Sequence, residues 1–306
     1  MMKVYGKVKV KRKYYYRGFL WLAPAVLLLA LFCLYPSVYA MALSFTNYGE
    51  RTFKIVFFEN FSEIFADQIF WKGMLNIVIL TVWGLFVGIA GSVLLAEMFF
   101  RLKYEKLGNA LRFLYILPTL VPGVVGMLIW QKIIFTPAET GLANALLRLF
   151  GAEPLGWYYD EYHRFVPMLS LLLTGFPFVG GCNFLIYLAG LNNIAEGVSD
   201  AAKLDGVNTW QSVWYIDLPC MMGQVKYSVI TGIISGIQGY GTQLLFTKGG
   251  PNYATTVPGY YMYTHAFDLG QYGYASAVGM ILFFIILILT VLNMKFINRK
   301  DEEEVQ

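Results

Sequence analysis

Apolar residues gather in six stretches that contain no Asp, Glu, Lys or Arg: Gly18–Gly49, Gly73–Ala96, Phe113–Gln131, Phe165–Ala195, Tyr227–Thr247 and Leu269–Met294. Each reaches roughly the 20 residues a helix needs to cross about 30 Å of hydrocarbon. Lipid offers the backbone no hydrogen-bond partner, so each stretch is expected to be helical. The short alternating segments of a membrane β-barrel are missing. Charges lie between the stretches, where they avoid a cost of about 2.5–3.5 kcal/mol at a helix centre. The pattern predicts an all-α polytopic membrane protein. Its six transmembrane helices fall near 18–45, 73–98, 112–134, 166–192, 226–247 and 272–295, in one domain over 18–298. A basic segment, 1–17, precedes that domain and a short tail, 299–306, follows it.

Basic residues set the orientation. With the N-terminus inside, inner segments hold 16 Lys and Arg and outer segments hold seven. Both termini are therefore expected in the cytoplasm. Ala40-Met41-Ala42 resembles a signal cleavage site. A signal core spans only about 7–15 apolar residues, so the much longer first stretch is read as an uncleaved helix. Tyr14, Tyr15, Tyr16, Trp21, Trp71 and Trp130 lie near span ends, where amphipathic rings settle at the interface. Composition agrees, with 58% hydrophobic and 14% charged residues. A soluble domain carries about 45–50% and 25%. Disorder is excluded by the apolar content, and a net charge of +4 is no nucleic-acid footprint.

Catalytic chemistry is sparse. Cys33, Cys182 and Cys220 fall in spans or at the inner face, so no disulfide is expected. No Cys or His cluster has metal spacing. His163 and His265 stand alone in outer segments and read as structural. No G-x-x-x-x-G-K-[ST] loop occurs, so the chain should not hydrolyse ATP by itself. The stretches hold no interior carboxylate or histidine of the kind proton and sodium relays use. That weighs against a secondary transporter of a polar solute, which stays as an alternative because backbone carbonyls also bind sodium. A membrane enzyme such as a glycan polymerase would need converging acid or His residues at the membrane face, and none cluster.

The inner loop 196–219 reads EGVSDAAKLDGVNTWQSVWYIDLP. Ser199–Leu204 suits a helix, and Gly206 a left-handed position that ends it. Asn208 suits an N-cap for a second helix. Trp210, Val213 and Trp214 give that helix an apolar face, and Pro219 is expected to stop it. The result is a helix–glycine turn–helix parallel to the membrane. It rests on headgroups as an amphipathic hairpin, or it is a rigid knob for another protein.

Asp200-Ala201-Ala202, then Gly206, then Ile216-Asp217-Leu218-Pro219 resembles the EAA loop of permease subunits in binding-protein-dependent ABC importers. The run 188–219 is similar to the carbohydrate branch, with Asp200 where that family has Glu and Ala195 where it often has Pro. LAPAVLLLALFCLYPSVYAMALSFTNY (22–48) resembles the family's first span, and Phe246–Pro251 its T-x-G-G-P turn. That turn suggests the larger, maltose-type or glycerol-3-phosphate-type permease. The resemblance covers about 18–298. It implies a heterodimer with a second, homologous permease, two ATPase subunits and an extracellular solute-binding protein, in a bacterial or archaeal cell (inner) membrane. It also implies that Asp200, Ala201, Ala202, Lys203, Leu204, Gly206, Leu218 and Pro219 couple to an ATPase. This chain would hold no cofactor, with ATP and Mg bound in the partner subunits. The implied substrate is a disaccharide or oligosaccharide, with glycerol-3-phosphate or a related polyol as the alternative.

Sugars present hydroxyls and flat apolar faces, so their sites combine amides, hydroxyls and aromatics. Span five offers Gln238, Tyr240, Gln243 and Thr242, and span four offers Asn183 and Tyr187. Gln238 and Tyr240 also match family positions that often hold Gln and an aromatic. The competing role is helix glue, at about 0.6 kcal/mol per group. Gly232, Gly236, Gly239 and Gly241 read as close-packing positions. Outer segments 50–72, 132–164 and 248–268 should face the binding protein, and their net charge of −2 gives little steering. Trp157, Tyr158, Tyr159 and Tyr162 read as docking or membrane-surface aromatics.

Overall fold

The computed structural model describes residues 13–49, 53–137, 140–163, 165–176 and 183–303. The basic segment 1–12, Arg51, Arg164, Cys182 and residues 304–306 lie outside the described residues. Among those described, every regular element is helical, apart from one isolated bridge between Thr46 and Ile55.

The chain opens with α1 (Lys13–Leu29), a π-turn (Ala30–Leu34) and α2 (Tyr35–Leu43). Pro36 follows the π-turn, which accommodates its missing N–H without breaking the rod. None of the most apolar window of Phe19–Leu43 is buried inside the chain. Next comes α3 (Glu59–Ala66), where Asn60 Nδ2 donates to Ser44 O at 2.8 Å and Thr46 O at 2.9 Å. Asp67 then caps α4 (Gln68–Phe100) by accepting from Ile69 N at 2.7 Å. At 1.5 Å per residue this 33-residue helix is about 50 Å long, the axis of the bundle.

After α4 come α5 (Glu105–Ile116) and α6 (Gly123–Ile129), which extend to Lys106–Leu120 and Gly123–Ile134 and bend by 89° at their junction. The third apolar stretch is therefore a broken pair rather than one rod. Pro118 and Pro122 supply the reason, since neither can donate to a continuing ladder. Then follow α7 (Leu142–Leu149), α8 (Val166–Leu173) and α9 (Asn183–Asn192). The fourth stretch is interrupted after Leu173, with Thr174 extended and Gly175 at φ +89°. The hairpin carries α10 (Glu196–Leu204), α11 (Thr209–Ser212) and α12 (Leu218–Cys220). It leads into α13 (Met222–Gln238), which stops at Gly239 before the fifth stretch ends. Last come α14 (Pro258–Tyr263) and α15 (Tyr272–Glu303). Among the described residues, three helical rods are long and apolar enough to cross a membrane (Phe19–Leu43, Gln68–Phe100 and Tyr272–Lys295), or four with the bent pair.

Three apolar clusters hold the bundle. One joins Ile64 and Phe70 to Ile237, Tyr261 and Val278 at the Gln68 end of α4. A second packs Ala96 near the other end against Phe184, Tyr187, Leu191 and Met221. The third, a cap, gathers Phe135, Trp157, Tyr158, Leu171 and Phe246. Asn76 fastens the 248–257 turn to α4, donating to Ala254 O at 3.0 Å and Thr256 O at 2.8 Å.

Candidate functional site

Where α4, α9 and α13 meet, they line an open cavity of about 540 Å³. That falls within the ~300–1,000 Å³ of small-molecule sites. Glycine makes both the closeness and the room. A Cβ on Gly232 would sit 2.4 Å from Leu85 Cδ2, and one on Gly236 would sit 2.6 Å from Thr81 Oγ1 and Cγ2. These glycines let the two helices touch. A Cβ on Gly84 or Gly88 would meet nothing within 4 Å, so these positions leave open space along the wall.

Two helix interruptions border the cavity. α13 gives way at Gly239, whose ψ is 125°, and the chain resumes through a π-turn at Gln243–Thr247. The fourth stretch breaks at Thr174–Gly175, with α9 (Asn183–Asn192) following it along the chain. Non-helical backbone at membrane depth is tolerated where it lines a cavity, because polar neighbours or water satisfy it. Two hydroxyls in the lining, Thr81 Oγ1 and Tyr187 Oη, are buried without a well-formed hydrogen bond; Ser228 faces the tyrosine. Buried polar groups are rarely left so, which marks the pair as donors available to a bound solute or water.

Of the residues nominated from sequence, Asn183, Tyr187, Tyr240 and Gln243 line this cavity, together with Thr242. Gln238 does not; its side chain is exposed and lies off the lining. Thr81, Ser228 and Ser235 join the lining without having been nominated. Their signal was a polar residue inside an apolar stretch, which is common enough to pass unnoticed.

The hairpin is built from two capping devices. Gly206 at φ +72° closes α10, with its N–H on Lys203 O at 3.2 Å and the Val207 N–H on Ala202 O at 3.1 Å. That is a Schellman stop. Asn208 and Gln211 then form a capping box, each side chain accepting from the other's backbone N–H at 2.9 Å. Contrary to the sequence expectation, Pro219 does not end the second helix. A π-turn (Val213–Asp217) precedes it, and helical backbone runs on to Cys220 before Met221 breaks it. Asp200, Ala201, Lys203, Leu204, Gly206 and Pro219 are all exposed, while Ala202 and Leu218 are half-buried. The Asp200–Lys203 contact at 3.0 Å is a surface pair that contributes little. Leu204 is 90% exposed.

One cluster escaped the sequence. Arg101, just past the end of α4, reaches Glu97 Oε2 at 3.0 Å through Nε, and Asp217 Oδ2 at 2.5 Å through a terminal nitrogen. Ser212 Oγ donates to the same Asp217 oxygen at 3.0 Å.

At the far end of α4 the cap is held by Asn144. Its amide donates to Leu155 O at 3.1 Å and its oxygen accepts from Trp157 Nε1 at 2.8 Å. Trp157 and Tyr158 are consequently core residues rather than docking aromatics, whereas Tyr162 is 96% exposed. Burial raises the Tyr158 hydroxyl to about 12, against a lowering hydrogen bond from Thr174. Asp160 accepts from the backbone N–H groups of Gly156 and Tyr162 at 3.0 Å and of His163 at 2.6 Å. Burial pushes its carboxyl up, but these donors and the His163 ring outweigh it and hold it below the usual range. His265 bonds Gln271 at 2.7 Å and stacks on Tyr274. Cys33 and Cys220 are free thiols.

Comparison with known proteins gives these features a setting. The arabinooligosaccharides transport system permease protein AraP of Bacillus subtilis is 29% identical over 90% of this chain and 87% of its own length. The lactose transport system permease protein LacF of Rhizobium radiobacter is 28% identical over 95% and 97%. Among solved structures, a bacterial ABC transporter involved in the import of the acidic polysaccharide alginate superposes with a TM-score of 0.80. It is 19% identical and covers 94% of this chain and 96% of that one, a likeness of fold. Residues 88–300, which carry the hairpin, the last helix and the cavity wall from Gly88 onward, match the family described as the binding-protein-dependent transport system inner membrane component, and the chain belongs to that family.

Proposed function

We propose that the chain forms half of the translocation pathway of an ATP-driven, binding-protein-dependent importer, and that its solute is a disaccharide or oligosaccharide. The observation that carries this is the cavity among α4, α9 and α13, with the buried hydroxyls of Thr81 and Tyr187 in its lining. Hydroxyls, amides and a tyrosine face are the groups that hold a sugar. The described lining residues are all uncharged, which favours a neutral polyhydroxy solute over glycerol-3-phosphate.

In this reading the helix breaks at Gly239 and at Thr174–Gly175 are where solute meets backbone. The six apolar stretches all cross the membrane, two of them as broken helices, with both termini and the hairpin in the cytoplasm. Asp200 to Leu204 and Gly206, with Leu218 and Pro219 behind them, dock on one of two ATPase subunits, which bind the ATP and Mg. The open face of Phe19–Leu43 is covered by lipid and by a second, homologous permease. An extracellular binding protein delivers the solute to the Gln68 end of α4. The cell is bacterial or archaeal, and this subunit has no catalytic site of its own.

A neutral hydrogen bond is worth about 1 kcal/mol, roughly fivefold in affinity. Tyr187→Phe and Thr81→Val should therefore each raise the apparent KM for uptake about fivefold, in cells offered radiolabelled disaccharides and oligosaccharides. Asp200→Arg should insert normally, abolish uptake and leave ATPase activity uncoupled. Unchanged KM in both cavity variants would refute the solute site, and normal uptake by Asp200→Arg would refute the docking site.

A further inference from the structure

The hairpin has a peculiar attachment to the bundle. Among the described residues from 195 to 220, one is buried, and it is a carboxylate: Asp217, 4% exposed. Its neighbours on the apolar face of that helix, Trp210 and Trp214, are 73% and 61% exposed. What fixes the hairpin to α4 is thus not apolar packing but the Arg101 guanidinium, 116 positions away in sequence. We infer that Arg101, clasped between Glu97 and Asp217, is the joint through which movement of the hairpin is passed to α4.

Three features suit a joint better than a static anchor. First, the contact is directional. A guanidinium is a planar fork, and two carboxylates on different elements fix its orientation as well as its distance. Second, the hairpin side is stiffened where it meets Arg101. Asp217 closes the π-turn Val213–Asp217, and Ser212 holds the same carboxylate oxygen. Third, the cluster has one cation for two buried carboxylates, and Glu97 faces Asp217 as well as Arg101. Two carboxylates so close together are tolerated only while the guanidinium stays between them. Glu97 thus holds the guanidinium at the level of the last turn of α4. Arg101 is therefore a positioning residue, acting through α4 on a cavity more than two turns away.

This rests on the reading of 196–206 as the ATPase-docking hairpin, and the test separates the two. Spin labels at Tyr215→Cys on the hairpin, Phe86→Cys on α4 and Ile288→Cys on α15 occupy exposed positions outside the docking residues, with the native cysteines replaced. Distances are measured in the complex with its ATPase subunits, with and without ATP and vanadate. The parent should keep a narrow 215–86 distribution in both states while its 86–288 distance shifts on trapping. Arg101→Met and Asp217→Asn should at least double the width of the 215–86 distribution and lose the 86–288 shift, with the ATPase subunits still co-purifying. The exchanged pair Arg101→Asp with Asp217→Arg should narrow the distribution again, and Arg101→Lys should recover part of the shift. A full 86–288 shift in the neutralised variants would overturn the joint. So would loss of the ATPase subunits from Asp217→Asn, since the pair would then be shaping the docking face. A parent that co-purifies with no ATPase subunit would overturn the docking reading beneath it.

Discussion

Gly236→Ala tests the helix contact that makes the cavity wall. The added methyl would lie 2.6 Å from two Thr81 side-chain atoms and 3.0 Å from its Cβ. Carbon contacts are comfortable at about 3.5–4.0 Å, so α13 and α4 must part by roughly 1 Å. Thr81 cannot swing aside cheaply, because a β-branched side chain in a helix has few rotamers and its Cβ is fixed to the backbone. Overpacking of this kind costs about 1–3 kcal/mol. Replacing Gly by Ala in a helix returns about 0.5–1 kcal/mol, so the net is a loss of up to about 2 kcal/mol. Gly84→Ala sits on the same pair of helices with nothing within 4 Å of its new methyl, and should gain up to about 1 kcal/mol. Melting of the purified chain in detergent should therefore fall for Gly236→Ala and hold or rise for Gly84→Ala. In a Thr81→Ala background the Gly236→Ala loss should shrink by about 1 kcal/mol or more. A loss of the same size in both backgrounds, or a melting point at or above the parent's, would refute the contact.

Gly84→Phe should place a ring in the 540 Å³ cavity, since the first carbon of its side chain meets nothing within 4 Å. Uptake should drop at least tenfold while the detergent melting point stays within a few degrees; uptake at the parent rate would show that solute passes elsewhere. Asp160 supplies a pH prediction. Its folded-state carboxyl lies below the usual range, so its stabilisation is fully present above the unfolded value of about 3.9 and is lost as pH falls through the lower folded value. Trp157 fluorescence should hold from pH 7 to 5 and change only below about pH 4, and Asp160→Asn should remove that step. A transition near pH 6 would contradict the geometry.

The six apolar stretches were legible because lipid excludes charge, a rule that acts on composition alone. Their interruptions were not. Pro122, Gly175 and Gly239 are ordinary residues in membrane helices, and whether one bends, breaks or passes unnoticed depends on which neighbour takes up the freed backbone groups. The Gly239 break explains Gln238 directly, since a residue at the last position of α13 need not face the same way as Tyr240 beyond it. The turn of the hairpin was legible because its stops are local: Gly206 and the Asn208–Gln211 box act over four positions, whereas the stop expected at Pro219 was not found there. Arg101, Glu97 and Asp217 were not, because a pairing across 116 positions leaves no local trace. Trp157 and Tyr158 read as surface aromatics because their burial comes from partners distant in sequence, Asn144 on Trp157 and the Phe135 and Phe246 rings on the pair.

The same two helices serve both sites, and this bears on how the sites communicate. α4 runs without a break from Thr81 and Gly84 at the cavity to Arg101 at the hairpin. α13 leaves the hairpin at Met222 and lines the cavity from Ser228 up to its end at Gly239, also without a break. At 1.5 Å per residue each segment is about 25–30 Å of rigid rod. A tilt of roughly 10° imposed at one end of such a rod moves the other by about 4–5 Å. Helix breaks absorb tilt, and here they fall at the cavity rather than between cavity and hairpin. Rotation applied at the hairpin is therefore not dissipated along α4 or α13; it arrives at Gly239, where the backbone is free to change. At the other end, the shared contact of Gly232 and Gly236 with Leu85 and Thr81 keeps the two rods from sliding independently. A bundle so arranged converts a push on a solvent-exposed hairpin into a change of cavity shape, provided that Arg101 keeps α4 tied to that hairpin.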